Sequence, residues 1–159
     1  MRHRVVDFRR ADGNSADVAD EIHSRPEITA QLGRGVTRML SQLGLASLLE
    51  VPLANGRRAD LMGITGPGQI WIIETKSCIE DFTVDTKWRD YMDYCDRFYF
   101  AVTEDFPSEA IPEEAGLIVA DGFGGAIIRE SAVRPLAGAR RKAVTILFAR
   151  LAAFRLLTA

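Results

Sequence analysis

Between residues 48 and 76 the chain sets three short apolar runs around two strong turn signals, and no other stretch constrains the fold as tightly. Leu48-Leu49-Glu50-Val51-Pro52-Leu53 reads as a strand and is followed by Asn55-Gly56, a tight-hairpin signal because both residues tolerate the positive φ of such turns. Arg57 to Ile64 reads as a second strand, Gly66-Pro67-Gly68 as the next turn, and Gln69 to Lys76 as a third strand. The three make a β-meander.

A helix precedes the meander. Ser24-Arg25-Pro26-Glu27 supplies an N-cap, a first-turn proline and an acid at the positive end of the dipole. Ile28, Leu32, Val36, Met39, Leu40 and Leu43 then recur at helical spacing up to Gly44. Gly33 and Gly35 inside that helix point to close packing against a neighbour. After the meander a second helix is predicted over about Val84 to Cys95, with Trp88, Tyr91, Met92 and Cys95 on one face. Arg97 to Val102 is a nearly unbroken apolar run, predicted as a buried strand parallel to its neighbour because a helical crossover precedes it. Leu117 to Ala120 and Ala126 to Arg129 are two further strands, and Arg140-Arg141-Lys142 opens a last helix to about Leu156. The expected order is αβββαβββα, an α/β fold with a mixed sheet flanked by helices. Residues 1–23 read as a polar N-terminal arm and 24–159 as a single domain.

With 159 residues and 47% apolar composition the chain can build one real core. A formal net charge of −2 gives no overall positive field to hold nucleic acid, so a polyanion would need a local patch. Two cysteines and two histidines, His3 and His23, argue against a disulfide scaffold and a structural zinc site. The basic N-terminus has no apolar run after it, so no secretory signal is expected. Arg150 and Arg155 interrupt the longest apolar segment, Ala143 to Leu157, which is short of the ~20 residues that span a bilayer. A cytoplasmic protein with reduced cysteines and no membrane partner is expected. Arginine outnumbers lysine 17 to 3, which makes each lysine informative.

One of those lysines, Lys76, closes the third strand behind Glu74. Side chains alternate along a strand, so Glu74 and Lys76 share a face, and pairing across the Gly-Pro-Gly turn can set Asp60 opposite Glu74. Two carboxylates suit Mg²⁺, which takes few protein ligands and completes its shell with water and phosphate. A compact ammonium beside them can orient an attacking water or offset charge in phosphoryl transfer. The Glu-x-Lys triplet alone is weak evidence, and a surface ion pair at a strand end is the plain alternative. Its placement, directly after Ile70-Trp71-Ile72-Ile73, is what gives it weight.

Asp60 followed by Glu74-Thr75-Lys76 after an apolar strand, with a helix on either side, resembles the PD-(D/E)xK nuclease-like superfamily and its restriction-endonuclease-like core. Gly56-Arg57-Arg58-Ala59-Asp60, Ile73-Glu74-Thr75-Lys76-Ser77, Asp81-Phe82, Asp85-Thr86-Lys87-Trp88, Cys95 to Ala101, Gly116 to Asp121 and Arg140 to Ala143 resemble more closely the MmcB-type bacterial DNA repair proteins. The resemblance spans about residues 27–157. It implies that Asp60 and Glu74 bind Mg²⁺ or Mn²⁺ and that Lys76 acts on the attacking water. It further implies that Glu50 is an added metal ligand or base. Lys87 and Tyr91, at i and i+4, resemble a Gln-x-x-x-Tyr element of some nucleases, which makes Lys87 a catalytic candidate. Ala59 stands where Pro is usual, and the first helix offers no inward carboxylate beyond Glu27.

Further candidates for contact with DNA are Arg57, Arg58, Ser77, Tyr91, Arg140, Arg141 and Lys142. Each has a simpler reading: neutralisation of the acidic site for Arg57 and Arg58, a turn residue for Ser77, core packing for Tyr91, and a solvated helix start for the last three. Glu50 is a solvent-side residue if its strand is half exposed, and a third carboxylate if it faces Asp60. Three functions remain open from the sequence: a metal-dependent endo- or exodeoxyribonuclease in DNA repair, a catalytically silent module that binds DNA or a repair protein, or an unrelated α/β domain.

Overall fold

The computed structural model describes residues 24–84 and 87–159. The predicted arm, with His3 and His23, and the Asp85-Thr86 pair lie outside those residues. Helix α1 (Arg25–Gln42) begins as its sequence dictates, with Pro26 in the first turn and the Glu27 carboxylate accepting the Ser24 N–H at 2.6 Å. Strands β1 (Ala46–Pro52), β2 (Arg58–Ile64) and β3 (Ile70–Lys76) follow. Gly56 and Gly68 turn the two hairpins with φ of 83° and 94°, a region side chains with a Cβ rarely enter. Then come α2 (Ile79–Val84), a 3-10 helix (Trp88–Tyr94), β4 (Arg97–Val102), β5 (Gly116–Ala120), β6 (Gly125–Arg129) and α3 (Gly138–Thr158).

The six strands form one sheet in chain order. β1, β2 and β3 are antiparallel neighbours, β4 lies parallel to β3 and to β5, and β6 returns antiparallel. The expected mixed sheet flanked by helices is therefore present, with every predicted strand found within two residues of its expected bounds. The middle of the chain differs. Instead of one α-helix over Val84 to Cys95, α2 ends at Val84 and a 3-10 helix starts at Trp88. Its buried residues, Trp88, Tyr91 and Tyr94, recur every three positions, the repeat of a 3-10 helix and not the 3.6 of an α-helix.

β3 is buried along its whole length and divides the core. Trp71 and Ile73 pack with Leu61, Tyr99 and α1 residues such as Leu32 and Val36. Ile70 and Ile72 pack on the other face with Trp88, Phe98, Phe100 and, from α3, Val144 and Phe148. Gly35 lets α1 touch the β5–β6 turn, because a Cβ there would stand 1.9 Å from the Asp121 carbonyl oxygen. That is the close approach its sequence position implied.

Candidate functional site

The site grows out of an interruption in the sheet. The β1–β2 ladder runs through Leu49↔Leu61 and Val51↔Ala59, but Glu50 and Asp60 between them drop out of it. Glu50 has φ of 51°, the only non-glycine residue with positive φ among the described residues. A left-handed residue costs on the order of 1 kcal/mol or more and persists only where its surroundings hold it. Here the Arg155 guanidinium, from the far end of α3, donates to the carbonyl oxygens of both Leu49 and Glu50. Strand alternation is broken at the point where Asp60 sits.

Asp60 and β3 then hold each other. The Asp60 N–H donates to Glu74 Oε1 at 3.0 Å, and Asp60 Oδ2 accepts both the N–H and the hydroxyl of Thr75 at 2.8 Å. Glu74 and Lys76 are only 5% and 8% exposed. Alternation puts them on the Ile72 face of β3 and Thr75 on the Ile73 face. Asp60 and Glu74, expected as neighbours, do touch, but through the Asp60 N–H, while the Asp60 carboxylate turns to Thr75 on the opposite face of β3. The sequence reading missed Thr75, whose only signal is its place between the two charged residues.

A cavity of about 700 Å³ opens on the Asp60 and Thr75 side, between α1 and the ends of β1–β3, with Ser77, Asp81 and Glu50 on its walls. Ser77 donates its hydroxyl to Asp81 at 2.8 Å. Hydrogen bonds from Cys78 and Ser77 hold the Asp81 carboxyl below the ordinary carboxylate range. Asp60 and Glu74 supply hard oxygen donors that suit Mg²⁺ or Mn²⁺, ions that need only one or two protein carboxylates. Glu50 lines the cavity but lies turned to solvent, its carboxylate 3.7 Å from the exposed Arg58 guanidinium. Among the described residues no group of three or more His, Cys, Asp and Glu stands where it could hold an ion. A metal here would rest on two carboxylates.

The family model described as DNA repair protein MmcB-like matches residues 16–159. The chain belongs to the MmcB-like family. A solved structure, the SPO1766 protein of unknown function from Silicibacter pomeroyi, is 45% identical to this MmcB-like chain and superposes with a TM-score of 0.75. That match covers 79% of this chain and 86% of the other. No curated protein matches, and no helix among the described residues is long and apolar enough to cross a membrane.

The remaining candidates of this MmcB-like chain are scattered. Lys87 is exposed and lines a different cavity, of about 550 Å³, with Arg57, Arg140 and Asp90. Arg57 is held there by Asp90 at 2.9 Å, and Arg140 lies over the Tyr94 ring at 4.6 Å. Tyr91 is core: its ring stacks on Phe98 and its hydroxyl donates to the Arg58 carbonyl at 3.2 Å. Lys142 is exposed on α3. Arg141 has a structural task. Its guanidinium donates to both oxygens of the buried Asp96, at 2.6 and 2.7 Å, and to the Gly68 carbonyl at 2.9 Å. No local signal marks this pair, because its members lie 45 residues apart.

Proposed function

We propose that this chain hydrolyses DNA phosphodiester bonds with the help of a divalent cation, within the DNA repair role that its family's description carries. One observation supports this most: two charged side chains, Glu74 and Lys76, are buried at the end of an otherwise apolar strand, with Asp60 bonded to that end. Burying charge costs several kcal/mol, on the order of what a whole domain has to spare, so such a cluster is expected where chemistry uses it.

Asp60 and Glu74 would hold Mg²⁺ or Mn²⁺, which when bound supplies a polarised phosphoryl oxygen and a more acidic water. Thr75 fixes the Asp60 carboxylate through two hydrogen bonds on one oxygen, which sets its orientation. Lys76 carries a compact cation to the same strand end, suited to orient the attacking water and to offset the charge that grows on the phosphoryl group.

A second reading, a module that holds DNA or a repair protein without cutting it, draws on the want of a third acidic ligand among the described residues. A cleavage assay in Mn²⁺ or Mg²⁺, with single-stranded and duplex DNA, separates the two. The wild type is expected to cut, and Glu74→Ala and Lys76→Ala are each expected to lose at least about a hundredfold in rate while staying folded. Cleavage undiminished in both variants overturns the proposal. DNA binding without cleavage by the wild type establishes the second reading.

A further inference from the structure

The cavity beside Asp60 has a shape and lining that phosphodiester chemistry does not require. Its α1 wall is low, because Ala30 and Gly33 stand one turn apart on the helix and present almost no side chain. A Cβ on Gly33 would stand 3.4 Å from Leu49 Cδ2, so the two walls approach closely at the bottom. Leu49 itself is 45% exposed, an apolar side chain left facing the opening. Leu61 continues the apolar floor. Above it, Thr75 and Ser77 donate their hydroxyl protons to Asp60 and Asp81, which leaves their oxygens able to accept from a ligand.

We propose that this cavity receives the base of one unpaired DNA nucleotide, with the adjoining phosphate beside Asp60. The inference rests on the reading of Asp60 as part of a phosphodiesterase site. A nucleobase offers flat apolar faces and a polar edge, and pockets that take one combine apolar walls with a few hydrogen-bonding groups. The Leu49–Leu61 floor and the hydroxyl oxygens of Thr75 and Ser77 supply both. Arg25 and Arg34, exposed on the α1 rim, stand where phosphates on either side of that nucleotide would pass. The carboxylates do not repel such a ligand as a group: Glu50 faces Arg58 at 3.7 Å and Asp81 faces Arg25 at 3.6 Å. A base in an intact duplex is stacked and paired, and cannot reach a cavity set between a helix and a sheet. Single strands, flaps and unpaired sites can.

The test measures binding with Ca²⁺ in place of Mg²⁺ or Mn²⁺, so that a divalent ion is present and binding is read apart from cleavage, by fluorescence anisotropy of a labelled single-stranded oligonucleotide and of the same oligonucleotide in a duplex. The single strand is expected to bind at least about tenfold tighter. Ala30→Leu, which fills the cavity from an exposed helix position, is expected to weaken single-strand binding on the order of tenfold and leave duplex binding unchanged. Thr29→Leu, on the same wall, serves if Ala30→Leu melts early. Equal affinity for both forms, absence of DNA binding, or folded variants that bind the single strand as the wild type does would each overturn the inference. Cleavage without this binding pattern would overturn the pocket alone, and the pattern without cleavage would overturn the phosphodiesterase alone.

Discussion

β3 begins at Ile70, whose N–H is held by the Asp96 carboxylate at 2.7 Å, and ends at Glu74 and Lys76, beside the Asp60 carboxylate. Both ends bury charge, but they close it differently. Each Asp96 oxygen accepts one backbone N–H and one Arg141 N–H: Oδ2 from Ile70 and Arg141, Oδ1 from Leu136 and Arg141. Burial pushes the Asp96 carboxyl up, yet these bonds outweigh it and hold the group below its ordinary range. At the other end, both bonds from Thr75 fall on Asp60 Oδ2, and the side chain borders a cavity. A carboxylate satisfied on both oxygens ties backbone segments together. One whose bonds from the described residues fall on a single oxygen, beside open space, has room for a further partner, which is the basis of the cation site proposed above.

That contrast can be broken in order of effect. Glu74→Ala and Lys76→Ala are expected to remove cleavage by at least about a hundredfold, read as initial rates on protein shown to be folded at the assay temperature. Arg141→Ala is expected to do the reverse. It leaves Asp96 buried without its cation, which costs about 3 kcal/mol in urea unfolding, while folded protein at low temperature still cuts. A smaller effect concerns acid. Because the Asp96 carboxyl is depressed in the folded chain, its contribution is fully present above the ordinary unfolded value near pH 4 and is lost as pH falls through the folded value. Thermal melts below about pH 4 should therefore show the gap between wild type and Asp96→Asn shrinking. Least of all, Glu50→Gln and Arg58→Ala are expected to change stability by under about 0.5 kcal/mol, since both side chains of that pair are 66% exposed.

Much of the sheet was legible because its information is local. The Asn55-Gly56 and Gly66-Pro67-Gly68 turns fixed the meander, and the apolar run at Arg97–Val102 announced a parallel strand. The contact of the Asp60 N–H with Glu74 followed from strand register, whereas the turn of the Asp60 carboxylate to Thr75 did not. What escaped was either non-local or a matter of period. Trp88 and Tyr91 fit an α-helix as well as a 3-10 helix until Tyr94 is counted with them. The left-handed Glu50 depends on Arg155 reaching across from α3, and Arg141 looked like a cation for DNA because Asp96 is remote in sequence. A basic run carries the same letters whether it meets phosphate or a buried carboxylate.

On the function proposed above, Asp60 and Glu74 act as one cation-holding pair. Binding of Mn²⁺ followed by electron paramagnetic resonance tests this most directly, since free and bound ions are counted separately. One ion per chain is expected, lost in Asp60→Asn and in Glu74→Gln and kept in Glu50→Gln. Mn²⁺ uptake unchanged by Asp60→Asn and Glu74→Gln, or no uptake at all by the folded wild type, would contradict the account.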